Sequence, residues 1–364
     1  MSFLNNMLAS IKSSASSGSG GVVGIDIGSS SIKVVELVER KGVITLSTYG
    51  EVQLGPYDGK QIGQSVALQA KQEQEALVDV IRESGVKVRD AVFAMPLSSS
   101  FVTNVDIDSG EETDMSAMVR VEARKVIPAS LSEVTLDWAE VELTEKESST
   151  HQPGHHNVLI AAIQNTALER FKVLMQFAGF TKPPTEIECF STIRGLYKNN
   201  EPDIAILDIG AASAKLYIVH KGLLMRMYRI RAGGEIATKK ISDMMDIDFL
   251  EAEEMKLVAD STADTFADIK RAHNSSYDRP LREFGQVMRE YEKKTALNIS
   301  TVYLTGGACL FPGMISHVKE AFGREIVVAD PFSKVAYPSF MEDIMKEIGP
   351  SFSVAVGAAM RAYE

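Results

Sequence analysis

The sequence predicts an α/β protein of two related domains facing each other across a cleft, with a small subdomain inserted in the first. Three observations carry this. The chain has 364 residues, too many for one hydrophobic core. It contains an internal repeat: VVGIDIGSSSIKVVELV at 22–38 and IAILDIGAASAKLYIVH at 204–220. Aligning Asp26 with Asp208 also pairs Ile27 with Ile209, Gly28 with Gly210, Ser31 with Ser213 and Lys33 with Lys215, five identities in eight positions at an offset of 182 residues, about one domain length. A third apolar run, TVYLT at 301–305, ends in Gly306-Gly307.

Each repeat copy begins with an apolar run suited to a strand buried on both faces. Asp-Ile-Gly breaks it, small residues follow, and a β-branched run returns, the pattern of a hairpin. Between the copies, 68–84 reads as a helix, 91–95 as a buried strand closed by Pro96, and 101–107 as an alternating strand. Residues 113–127 read as a helix with Thr113 as N-cap and Pro128 as its stop, and 134–143 as a strand with Trp138 in the core of the insert. Residues 144–157 read as a polar loop, 158–164 as a strand, and 166–178 as a helix stopped by Gly179. After the second copy, 235–300 is almost all helical in pattern, followed by a strand at 301–305, a helix at 313–322, a short strand at 326–328 and a last helix at 352–362. The resulting division is a tail over 1–21, a first core of 22–95 and 165–200 (1A), an insert of 96–164 (1C), a second core of 201–232 and 301–364 (2A), and a helical subdomain of 233–300 (2B).

Composition narrows the function classes. With 45% apolar and 24% charged residues, the chain is not a disordered one. The net charge of −11 repels phosphate backbones, so nucleic acid is not an expected partner. Cys189 and Cys309 form no CxxC, which excludes a cysteine zinc site and fits a reducing cytoplasm. Residues 1–12 place Phe3, Leu4, Met7, Leu8 and Ile11 at helical spacing, and 13–21 reads as a linker. No secretory signal or membrane-spanning run is expected.

The hairpins carry the chemistry. A strand ending in Asp-x-Gly, with small residues in the turn, aims several backbone N–H groups one way, and such a nest binds phosphate oxygens. Glycine permits close approach of the anion and positive φ. Asp26 and Asp208 at the strand ends suit an oxygen-loving Mg²⁺. Lys33 and Lys215 follow their loops at matched positions and fit either a phosphate contact or a strand edge. Neither GxGxxG nor a Walker A loop is present; Gly59-Lys60 is followed by Gln61 and lacks the first glycine.

Together the two hairpins and the Gly306-Gly307 turn resemble the phosphate 1, phosphate 2 and adenosine motifs of the actin and sugar-kinase superfamily. The resemblance implies an actin-like ATPase fold with ATP and Mg²⁺ in the cleft. It implies nucleotide contacts from Asp26, Gly28, Ser29, Ser30, Ser31, Lys33, Asp208, Gly210, Ala211, Gly233, Gly234, Gly306 and Gly307. Ala252-Glu253-Glu254-Met255-Lys256 is similar to a helix of FtsA-like proteins whose Glu and Lys approach ribose and adenine, here Glu253 and Lys256. The segment EARKVIPASLSEVTLDW at 122–138, with GIDIGSSSIKVVEL near the start and FSVAVGAAMRAYE at the end, resembles the PilM family of actin-like, FtsA-related type IV pilus assembly proteins. That resemblance spans 22–364. It implies capture of the cytoplasmic N-terminal peptide of PilN in a groove between 1A and 1C. It also implies attachment to the inner membrane through a PilN–PilO platform, and a link to pilus motor ATPases; self-association stays open.

Hydrolysis requires a positioned water. The segment 184–195 offers Glu186 or Glu188, with Glu188 the preferred catalytic candidate; Ala211-Ala212 lacks a glycine or hydroxyl common in related ATPases, so slow or conditional turnover is expected. A sugar or small-molecule kinase of the same fold is the enzyme alternative, but no acceptor-facing aspartate loop stands out. An FtsA-like division protein is another, against which stands a sequence that stops at Glu364 directly after its last helix. His151, His155 and His156 read as a solvated loop rather than a metal site. Lys221, Arg226, Arg229 and Arg231 read as one face of a strand beside the cleft, with solvation as the default.

Overall fold

The computed structural model describes residues 20–108, 114–141, 154–180, 185–198, 201 and 203–363; the apolar N-terminal segment, Thr113 and His151 lie outside these. Its two main sheets have the same construction. In the first, β1 (Val22–Ile27), β2 (Ser31–Arg40), β3 (Val43–Gln53), β4 (Ala91–Met95) and β8 (Thr185–Ile187) stand in the order β3-β2-β1-β4-β8. In the second, β9 (Ile204–Ile209), β10 (Ala214–His220), β11 (Leu223–Ile230), β12 (Thr301–Thr305) and β13 (Glu325–Val328) stand in the order β11-β10-β9-β12-β13. Each repeat copy therefore supplies the central strand and its antiparallel partner. In each, the repeated pair faces across the ladder: Asp26 opposite Lys33 and Asp208 opposite Lys215. A continuous apolar core runs from Ile25 and Phe93 of the first sheet to Ile206 and Tyr217 of the second.

The insert is its own small layer. β5 (Ser100–Asp108), β6 (Val134–Val141) and β7 (His155–Gln164) form an antiparallel sheet in the order β5-β7-β6. The helix Met115–Val126 covers it, burying Val119 and Ala123 against Val158 and Ile160. Trp138 packs on this core, partly buried. The N-cap of that helix is Asp114, not Thr113: its carboxylate accepts from the N–H groups of Ser116 (3.0 Å) and Ala117 (3.3 Å), and a carboxylate at an N-cap outcompetes a neighbouring hydroxyl. His155 and His156 begin β7 instead of standing in a loop. Their imidazoles bond across the ladder to Asp108 and Glu140, and these polar pairs extend the strand beyond its apolar run.

The helical stretch after the second hairpin forms four helices, Gly234–Met245, Phe249–Leu257, Phe266–Ser275 and Asp278–Thr295. Residues 331–363, which the sequence groups with the second core, pack on the first sheet. Phe332, Val335, Met345 and Phe352 bury Val35, Leu37 and Leu46, and Tyr363 donates its hydroxyl to the Leu37 carbonyl. The last helix, Ser353–Met360, is apolar all round, so every face must be covered. It lies on β1 and against the helix Glu188–Leu196, with Val354, Ala355, Val356, Ala358 and Ala359 buried.

That crossing needs glycine. A Cβ on Gly357 would stand 1.8 Å from the Ser191 carbonyl oxygen, and one on Gly24 would stand 2.0 Å from that of Ala355. Both obstacles are backbone, which cannot rotate away. Gly357→Ala is expected to lower stability by about 1–3 kcal/mol or more, read as a reduced midpoint in urea unfolding.

Candidate functional site

The two hairpin turns have matching geometry and face one cavity. Gly28 N–H donates to the Ser31 carbonyl (2.9 Å) and Gly210 N–H to that of Ser213 (3.0 Å). The turn N–H groups of Ser29, Ser30, Ala211 and Ala212 donate to no acceptor among the described residues, whereas the Ser29 and Ser30 carbonyls are anchored by the N–H groups of Val66 and Leu54. Each turn thus leaves backbone donors unspent, as an anion-binding nest requires.

Both turns line the same cleft of about 300 Å³. Of the residues singled out by sequence, Asp26, Gly28, Ser29, Ser30, Ser31, Lys33, Glu188, Asp208, Gly210, Ala211, Gly234, Glu253, Lys256, Gly306 and Gly307 all line it. Gly233 does not. It stands behind the second turn, where a Cβ would meet the Ala211 carbonyl oxygen at 2.1 Å. Its role is to let the helix Gly234–Met245 dock: the N–H groups of Gly234 and Glu235 donate to the carbonyls of Gly210 (2.9 Å) and Ala211 (3.0 Å). The first donors of that helix therefore hold the turn and are not free for a ligand.

The glycines divide by cause. Gly28 and Gly210 do not use the positive φ that glycine permits; of the two properties, only room for an anion applies to them. Gly306 has φ of 89°, and a Cβ there would meet the Ile209 carbonyl at 2.3 Å, so it is required by the fold. Gly307 has nothing within 4 Å of its Cβ position, so a side chain there projects into the cleft. The Gly306 turn is pinned from behind, since Thr305 donates its hydroxyl to the Pro350 carbonyl (2.6 Å) and Gly306 N–H donates to the same oxygen.

The matched lysines have diverged. Lys33 donates to Ser31 Oγ (2.6 Å) and pairs with Glu51 (3.0 Å). Lys215 stands between Glu188 (2.7 Å) and Asp208 (3.1 Å). Burial pushes its pKa down, but Asp208 and Glu188 outweigh that and hold it above the ordinary lysine range. Glu188 is buried and opens the helix Glu188–Leu196, where the helix dipole favours an acid. Its second oxygen accepts from Leu97 N–H (2.7 Å). Glu186 is excluded as a water-orienting acid. It is buried in a bidentate pair with Arg194 and a contact to Arg361, and breaking such a pair costs about 3–5 kcal/mol.

Asp26 is different. Its carboxylate accepts no hydrogen bond from the described residues. Burial pushes its pKa up to about 7; Lys33 opposes the shift, and Glu188 adds to it. Among the described residues no three Cys, His, Asp or Glu side chains form a metal cage. An unspent carboxylate beside unspent backbone donors nonetheless has the chemistry to suit Mg²⁺, which is commonly held by one or two carboxylates plus phosphate oxygens.

The far end of the cleft is built by 2B. Lys256 donates to Glu253 (2.6 Å) and Thr238 (2.7 Å), and the Thr238 hydroxyl donates to Glu253. Sequence reading missed Thr238, Glu51 and the loop carrying Ile62 and Gly63. Gly63, with φ of 84°, packs directly on the Glu253 carboxylate: a Cβ would stand 2.6 Å from Cδ. This loop has neither periodicity nor a motif, so only its tertiary position reveals it. Arg229, expected beside the cleft, donates to Ser213 Oγ at 3.2 Å.

The family model of the type IV pilus assembly protein PilM matches residues 24–363. The chain belongs to the PilM family. Among solved structures, the chain is similar to the PilM-PilN type IV pilus biogenesis complex, at 23% identity over 95% of this chain and 100% of that one, with a TM-score of 0.78. The ethanolamine utilization protein EutJ from Carboxydothermus hydrogenoformans matches at 14% identity, over 99% and 97% of the two chains, with a TM-score of 0.57. MreB 5 of Spiroplasma citri bound to AMPPNP matches at 11% identity, over 94% and 96%, with a TM-score of 0.53. The fold of this PilM-family chain is accordingly the actin-like one. Among the described residues no helix is long and apolar enough to cross a membrane.

Asp26 links the site to stability. A carboxyl whose folded pKa is raised from 3.8 to about 7 favours folding in acid, and that contribution is lost as pH rises between those values. Asp26→Asn keeps the shape and removes the titration. Its melting temperature is expected to exceed that of the native chain at pH 8 and to converge with it toward pH 4, as calorimetry would show.

Proposed function

We propose that this PilM-family chain is an ATP-binding scaffold of a type IV pilus inner-membrane platform. It holds Mg-ATP between its two halves and captures the N-terminal cytoplasmic peptide of a PilN-type partner. The observation that carries the reading is the pair of matching turns, 28–31 and 210–213, whose unspent N–H groups line a single cleft. The triphosphate lies between them, Asp26 and Asp208 hold Mg²⁺ directly or through water, and Glu253 and Lys256 face the nucleoside. Each oxygen of Glu188 already accepts one bond, so a water would take a remaining lone pair of a carboxylate whose basicity Lys215 lowers; this favours slow or conditional hydrolysis. The sugar-kinase and FtsA readings gain nothing from the family membership.

The peptide is assigned to the junction of 1A and the insert. A cavity of about 460 Å³ there is bordered by Val66, Leu68, Pro96, Ser98, Ala167 and Phe171, an apolar surface with polar edges suited to an extended segment. The partner would carry the membrane anchor, placing this chain at the cytoplasmic face of the inner membrane.

Two measurements test the reading. Gly307→Val adds an isopropyl group in open cleft space, so Mg-ATP affinity in isothermal titration is expected to fall at least about tenfold, equivalent to about 1.4 kcal/mol, with unfolding unchanged. Unchanged affinity would move the nucleotide elsewhere. Ala167→Trp is expected to abolish capture of the PilN N-terminal peptide in fluorescence anisotropy, with ATP binding retained.

A further inference from the structure

Two cavities meet at the phosphate end of the cleft, and one buried carboxylate stands in the wall they share. Gly28, Ser29, Glu188, Ala212, Ser213 and Lys215 line both the cleft and the cavity at the root of the insert. Five of the six are turn residues or the lysine that follows the second turn. The sixth, Glu188, is 7% exposed and spans the wall. One oxygen accepts from the backbone N–H of Leu97 and the other from Lys215 Nζ, each at 2.7 Å. Leu97 follows Pro96 where the chain leaves β4 for the insert, and Ser98 and Ser99 beside it line the second cavity. Lys215 follows the second turn and is shared with Asp208 at 3.1 Å.

We propose that Glu188 is a coupling strut between the two cavities, transmitting occupancy of the cleft to the backbone at the root of the insert. The proposal rests on the reading of the cleft as an anion-binding nucleotide site. A phosphate arriving between the turns competes with Glu188 for the Lys215 ammonium. In a poorly hydrated site that competition is strong, because charges interact there far more than in water. Releasing Lys215 leaves Glu188 a buried charge with one donor, which is costly. The carboxylate must reorient, and Leu97 N–H either follows it or loses its acceptor. Either way the 97–99 segment repacks, and with it a wall of the second cavity. By linkage, an occupant that holds the 97–99 segment in one arrangement changes anion affinity by the same factor, ordinarily about 5–150-fold.

The test places a reporter in the second cavity and a ligand in the first. Ser98 is exposed, and the native thiols Cys189 and Cys309 are 0% and 4% exposed, so Ser98→Cys takes a polarity-sensitive fluorophore selectively. Mg-AMPPNP is titrated in, with binding measured in parallel by calorimetry so that hydrolysis plays no part. Saturation is expected to shift the emission of the labelled chain. Glu188→Gln keeps an acceptor for Leu97 N–H but removes the charge that holds Lys215, and is expected to reduce the shift about fivefold or more at saturating ligand. Lys215→Gln cuts the same link from the other side and should give the same loss, which keeps the test decisive if one variant fails to fold. Binding with no emission change in the native background, or an undiminished change in both variants, overturns the strut alone. Absence of AMPPNP binding to the native chain overturns the cleft reading and the strut together.

Discussion

The arrangement depends on how three carboxylates and two ammonium groups share a partly buried space. Asp26, Asp208 and Glu188 converge where the sheets meet, and Lys33 and Lys215 supply the opposing charge. Lys215 is claimed twice, by Glu188 and Asp208, and Lys33 is claimed by Ser31 and Glu51. Asp26 is left without a donor, and burial drives its pKa to about 7. Surplus carboxylate beside unspent backbone donors is the feature on which the proposed joint binding of a cation and a polyanion rests.

Duplication supplies the frame, and divergence supplies the asymmetry. The same strand order and the same Asp–Lys ladder pair recur in both halves, because the same short pattern folds the same way twice. The surroundings then differ. On the first side Lys33 is drawn outward to Glu51 on β3. On the second, Lys215 is drawn inward to Glu188, which comes from the first half's own chain. Contacts that cross between the halves include that point, the mouth, where Gly63 meets Glu253, and the pair of Lys294 with Asp106 of the insert. The helix Ser353–Met360 also crosses Glu188–Leu196, packed backbone to backbone through Gly195 and Gly357. Interfaces so tight shift between discrete arrangements instead of deforming smoothly, which suits a protein expected to relay nucleotide state.

Much of this was legible in the amino-acid sequence. The repeat alone determined two halves, their hairpins and a shared cleft, because a buried apolar run broken by Asp-x-Gly and small residues has few other local solutions. Helix and strand positions followed from periodicity, and the insert from its own alternating runs. What sequence could not settle depends on distance in space. It could not show that 331–363 returns to cover the first sheet, since apolar residues specify burial but not against what. It preferred Glu188 to Glu186 without a spatial reason: only the fold locks Glu186 to Arg194 and sets Glu188 in the cleft wall. It passed over Gly63, whose loop has no pattern of its own. Local propensity and pattern act through neighbours along the chain, whereas charge sharing, close approach and cavity walls arise between segments far apart in sequence, and only tertiary packing decides them.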